Sequence, residues 1–125
     1  MRSLEIGDHI WVEQDDYRDH AIYVGDTRVV RYARPQSGVV GRVESVSLSA
    51  FTGDRECHVR RYQQTRFKPS EIALRALDRV GKDLSAVLAT GEFFCEWCVT
   101  ELVHGASKLP PPEHAQGGVL AINAG

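Results

Sequence analysis

The chain lacks most of the features that would assign a protein to a class at sight. No apolar run approaches the ~20 residues a membrane-spanning helix needs. The patch Val119-Leu120-Ala121-Ile122 near the C-terminus is too short to anchor one. A surplus of one charge is also missing: 15 Lys and Arg stand against 17 Asp and Glu, for a net charge of −2. The basic residues are scattered, with Arg60-Arg61 the one local pair. That distribution suits a solvated strand face and gives no reason to expect nucleic acid. Cysteine is scarce and odd in number, with only Cys57, Cys95 and Cys98. The first eight residues reach a strand pattern too soon for a secretory leader. Together these point to reduced thiols in a cytoplasmic protein rather than to a disulfide framework. There is no internal repeat and no low-complexity segment.

What the chain has is patterning. At 125 residues it is long enough to bury a core without disulfides or a structural metal. One domain over residues 1–108 is expected, followed by a flexible Pro- and Gly-containing tail over 109–125. Ile10 and Val12 alternate with Trp11 and Glu13 as in a strand. His20 to Val24 is a second, more apolar strand, suited to the centre of a sheet covered on both faces. Gly25-Asp26-Thr27 turns it into a third over Val29 to Ala33. Val43 to Val46 and Cys57 to Tyr62 are further strand candidates. Ser47 caps a single helical turn that runs to Phe51.

Two longer helices follow. Pro69 opens the first, Gly81 ends it, and Ile72, Ala73, Ala76, Leu77 and Val80 form its buried face. Thr90 caps the second, with Gly91 as first helical residue and Glu92 where the dipole favours an anion. Phe93, Phe94, Trp97, Cys98, Val99, Leu102 and Val103 carry that helix toward Gly105. The expected fold class is α+β, a small antiparallel sheet packed against two helices.

Chemistry-bearing residues are few. Cys95-x-x-Cys98 is not placed for redox work, which wants a helix N-terminus in a βαβ unit. Zinc would need two more ligands, from Cys57 and His20 or His58, and no second spaced pair exists. No metal or cofactor is therefore expected. His9, His104 and His114 read as surface residues, and Cys98 as core.

The order of segments resembles the lecithin:retinol acyltransferase-like family, compact permuted relatives of the NlpC/P60 peptidases. Gly7-Asp8-His9-Ile10 is similar to that family's opening Gly-Asp-x-Ile/Leu strand. His20-Ala21-Ile22-Tyr23-Val24-Gly25-Asp26 resembles its His-x-Ala-Ile-Tyr-Val-Gly-Asp stretch. Val29-Val30-Arg31-Tyr32 falls at its Val-Val/Ile-His-Leu/Tyr, and Trp97-Cys98-Val99-Thr100 at its closing Trp/Tyr-Cys-x-x. The resemblance implies a cysteine nucleophile in Asn-Cys-Glu-His-Phe that forms an acyl thioester. It passes the acyl group to an amine, an alcohol or water. The sulfur belongs at a helix N-terminus, within reach of an imidazole held by a second polar group.

The resemblance leaves two registers for that motif. Anchored on Trp97-Cys98, it falls on Thr90 to Phe94, and the nucleophile position holds Gly91. Anchored on Cys95-Glu96, it keeps a cysteine but inserts residues after Gly81. Helix physics favours the first, since residue 91 lies among free N–H groups while Cys95 lies about 6 Å further in. Arg31 stands at the family's second histidine; a guanidinium offers only donors, and its charge would oppose protonation of His20. The expectation is a catalytically impaired module with a groove between His20, Arg31 and the last helix, where Tyr23, Tyr32 and Glu92 contact an acyl lipid or small acyl ester. The alternative is a working acyltransferase or phospholipase-type hydrolase using Cys95 and His20. A third is a protein-partner role through the C-terminal tail.

Overall fold

A computed structural model describes residues 3–82, 84 and 90–101. Five strands form one antiparallel sheet: β1 (His9–Glu13), β2 (Arg18–Gly25), β3 (Arg28–Ala33), β4 (Arg42–Ser47) and β5 (His58–Arg60), in the order β4-β3-β2-β1-β5. Three helices complete the α+β arrangement: α1 (Leu48–Thr52), α2 (Pro69–Asp78) and α3 (Gly91–Thr100). The expected sheet and helices are present. The serine-capped turn is α1, with Ser47 Oγ accepting the Ala50 N–H at 3.1 Å.

β2 is the middle strand, and both of its faces are covered. Ile22 packs with Val30, Tyr32 and Val43 beneath α2 and α3, around Phe94, Cys95 and Cys98. Ala21 packs on the opposite face with Ile10, Val12, Val29 and Phe51 of α1. Period-two alternation therefore sends neighbouring residues into two different cores. The β2–β3 turn puts both Asp26 and Thr27 at φ 55°. Those values suit a hairpin turn of the mirror-image type, whose twist matches the flanking strands. Gly7, at φ +91°, lies where a Cβ would come within 2.8 Å of the Pro69 carbonyl oxygen. Glycine there lets the lead-in to β1 pass under the start of α2.

α2 begins as expected. Pro69 is in its first turn, and Glu71 accepts the Lys68 N–H at 2.9 Å. It ends earlier than expected, at Asp78. Ile72, Ala73 and Ala76 are buried, but Leu77 and Val80 are exposed. The helical spacing lapses before Val80, so the expected face is one turn too long. Arg75 then ties the two long helices together. It donates to the carbonyls of Trp97 and Cys98 at 2.7 and 3.1 Å while lying over the Trp97 ring. A cation on the last carbonyls of α3 suits the negative end of its dipole, and the Trp97 carbonyl also accepts the Glu101 N–H. Leu102, Val103, His104, His114 and the tail lie outside the described residues.

Phe94 is wholly buried between the sheet and α2. Truncation to alanine removes its apolar area and leaves a cavity. Phe94→Ala should lower the free energy of unfolding by about 3–5 kcal/mol, read as a shifted urea midpoint at unchanged slope.

Candidate functional site

The first turn of α3 stands directly over β2. Thr90 Oγ1 accepts the Phe93 N–H at 3.1 Å, and the Thr90 carbonyl accepts the Phe94 N–H at 2.9 Å. This fixes Gly91 as the first helical residue, as its sequence context implied. A Cβ on Gly91 would lie 3.6 Å from the Cβ, N and O of His20, at ordinary contact distance. The position is therefore open to a small side chain and adjacent to the histidine. Around it runs a cleft of about 430 Å³, walled by His20, Asp19 and Arg18 of β2, Tyr32 and Arg34 at the end of β3, and the first turn of α3. That volume falls in the roughly 300–1,000 Å³ range of small-molecule sites.

His20 does not stand alone. Its Nδ1 is 2.8 Å from Nε2 of His9, and Nδ1 of His9 is 2.7 Å from the Tyr62 hydroxyl. His9 was expected at the surface but is only 1% exposed. His9 lies on the face of β1 opposite Ile10 and Val12, where His20 and Tyr62 pack against it. Burial lowers the pKa of His20 from 6.5 to about 4, with Glu92 opposing the shift and Arg60 and Arg18 adding to it. Burial pushes His9 well below its ordinary value, and His20 and Arg60 push it further. Both imidazoles are neutral at pH 7.

Arg31 is elsewhere. It pairs with Ala21 across the β2–β3 ladder, which puts it on the face opposite His20 and Ile22. There it donates to Asp19 at 2.9 Å and Glu44 at 2.6 Å. The groove expected between His20 and Arg31 is therefore bounded by Tyr32 and Arg34, and Arg60 and Arg18 are the cations that depress His20. Tyr23 also falls outside the cleft. It packs in the α1-side core, where its hydroxyl accepts the Thr27 N–H at 3.2 Å. Glu92 does line the cleft, paired to Arg60 at 3.0 Å. The same guanidinium reaches the buried Glu96 at 2.5 Å.

The three thiols are poorly placed for nucleophilic work. Cys95 and Cys98 are wholly buried. Burial drives Cys95 well above the ordinary thiol value, and Cys98 and Asp19 push it further; burial takes Cys98 to about 12. The half-buried Cys57 is also raised, by burial and then by Asp8. The attacking species is a thiolate, so each shift lowers reactivity. Among the described residues, no group of three or more His, Cys, Asp or Glu is placed to hold a metal ion.

The model of the lecithin retinol acyltransferase family matches residues 2–105. The chain belongs to that family. No curated protein is matched by the sequence. With the family in hand, the strand motif can be set against the structure without a gap. The pattern His-x-Ala-Ile-Tyr-Val-Gly-Asp keeps one residue between histidine and alanine, whereas His20 directly precedes Ala21. On the resemblance, the ungapped histidine position falls at Asp19 and the second at Arg31. These are the two side chains that the structure joins as an ion pair at 2.9 Å. Sequence reasoning missed His9, Tyr62 and Arg60, which close the site from β1 and β5. The one signal for His9 was its place at the head of a strand, directly before the buried Ile10.

The neutral histidines set a direction for acid stability. Between pH 6.5 and about 4 the unfolded chain takes up a proton at His20 that the folded chain refuses. Stability therefore falls as pH falls through that window and levels off below it. His9 acts in the same sense. Urea midpoints taken from neutral pH down to about 4 should show this fall, and His20→Gln should flatten it.

Proposed function

We propose that this member of the lecithin retinol acyltransferase family is a binding or regulatory module that does not turn over an acyl substrate. Its ligand is an acyl lipid or a small acyl ester, held in the cleft at the N-terminus of α3. The observation that carries this reading is the glycine in the first turn of α3, 3.6 Å by its virtual Cβ from His20. A thiol there would have had free backbone N–H groups and the positive end of the helix dipole beside it. Every thiol the chain does possess has its pKa raised instead. The histidine positions of the ungapped motif add support, since an Asp19–Arg31 ion pair supplies an imidazole at neither of them.

The cleft suits an acyl ligand through its aromatic wall. Phe93, Tyr32 and Tyr17 line it, beside the polar end formed by His20 and Arg34. Aromatic faces give apolar area with a polar edge, which fits a chain-and-head ligand.

The test combines labelling and turnover. In the wild-type protein, all three thiols should react slowly with iodoacetamide at mildly acidic pH. No acyl adduct should appear by intact mass after exposure to a short-chain phospholipid. Gly91→Cys should add one thiol that labels at least about tenfold faster than any native one, without restoring turnover. Acylation of wild-type Cys95 that disappears in His20→Ala would establish a working thiol enzyme and overturn the proposal.

A further inference from the structure

The hydrogen-bonded chain behind His20 decides which way its ring can bond. The Tyr62 hydroxyl has its pKa raised, chiefly by burial, so it keeps its proton. Its one acceptor among the described residues is Nδ1 of His9. When that hydroxyl donates to Nδ1, His9, with a single N–H as a neutral imidazole, holds its proton on Nε2 and gives it to Nδ1 of His20. His20 in turn carries its proton on Nε2. That nitrogen has no partner among the described residues, although His20 is only 6% exposed and lines the cleft. With the chain running in that sense, His20 faces the cleft as a donor and not as a base.

Other donors converge on the same place. The N–H groups of Gly91 and Glu92 precede the first bonded N–H groups of α3, and no acceptor among the described residues engages them. The charges around the cleft divide unevenly. Asp19 is taken by Arg31 and Glu92 by Arg60. Arg18 lies 4.2 Å over the Trp11 ring and has an exposed contact with Glu13 at 3.6 Å. Arg34 lies 3.8 Å over the Tyr17 ring and makes no ion pair among the described residues. The cleft thus offers unused donors and cationic groups, while both of its carboxylates are already neutralised.

We propose that the ligand enters with an oxyanion head, a carboxylate or a phosphate monoester, seated between His20 Nε2–H and the first N–H groups of α3 beneath Arg34. The head takes the place that glycine leaves beside His20, and the chain lies along Phe93 and Tyr32. This inference rests on the binding reading above and narrows it from acyl compounds in general to those with an anionic end. A neutral ester or alcohol would leave the buried His20 donor without a charged acceptor.

The experiment uses three probes of equal chain length, each below its micelle concentration: decanoate, decyl phosphate and decanol. Thermal unfolding of the full chain should shift upward with either anion and not with decanol. A preference for decanoate assigns a carboxylate, and the reverse assigns a phosphate. Arg34→Gln, at the rim of the cleft, should weaken anion binding about tenfold, and His20→Phe should abolish the preference for anions over decanol. Nitrogen-15 shifts should place the His20 proton on Nε2 in the wild-type protein; a proton on Nδ1 overturns the donor assignment. Binding of decanol as tightly as decanoate overturns the head-group assignment and leaves the binding module standing. No stabilisation by any probe overturns both.

Discussion

The rest of the site depends on the close approach of the first turn of α3 to β2 at His20. That approach brings a helix N-terminus, a buried imidazole and the open end of the sheet to one point. It is held at both ends of the helix. Arg60 on β5 reaches Glu92 and Glu96, while Arg75 on α2 holds the carbonyls of Trp97 and Cys98. A helix pinned in this way has little freedom to roll, so the residue at position 91 decides what meets His20. With glycine there the answer is space, and the nearest thiol lies one turn deeper in an apolar core.

Charge in this small domain is managed by guanidinium groups that each serve two carboxylates. Arg31 serves Asp19 and Glu44, and Arg60 serves Glu92 and Glu96. Asp19 and Glu96 are almost fully buried, and a buried carboxylate without its partner would cost several kcal/mol. Neither guanidinium is thereby spare for chemistry. Their combined effect is to neutralise the acids that would otherwise draw a proton onto the histidines. Only Glu92 favours a charged His20, and Arg60, to which it is paired, opposes it.

Much of the fold was legible in the sequence, because local rules and tertiary packing agree there. The alternation of β2 and β3, the serine cap of α1, Pro69 at the start of α2 and Thr90-Gly91-Glu92 at the start of α3 all recur in the structure. The α2 boundary failed because Val80 continues the apolar pattern past Asp78, where the helix ends, and Leu77 lies on its exposed side. In the site, Gly91 beside His20 followed from the family resemblance, with helix geometry choosing the register. His9, Tyr62 and Arg60 did not, since β5 pairs with β1 across some fifty residues of chain and no local pattern announces that pairing. Arg31 misled for a different reason. One residue of register in a strand moves a side chain to the other face, and His20 sits one place nearer the alanine than the motif allows.

Loss of a thiol at residue 91 would cost the fold little. Glycine is tolerated at a helix start, the Thr90 cap does not involve the residue 91 side chain, and nothing else packs closer than ordinary contact there. Stability therefore gives no reason to keep a cysteine, and equally gives no reason to keep the histidines. Two neutral imidazoles and a phenol buried in a chain carry a desolvation cost that apolar residues of similar size would avoid. Their hydrogen bonds offset that cost at every ring nitrogen of the pair except Nε2 of His20, which has no partner among the described residues. An unpartnered donor at the wall of a cleft is a liability in an inert scaffold. It is an asset where an acceptor arrives from outside, as the proposed anionic head group would.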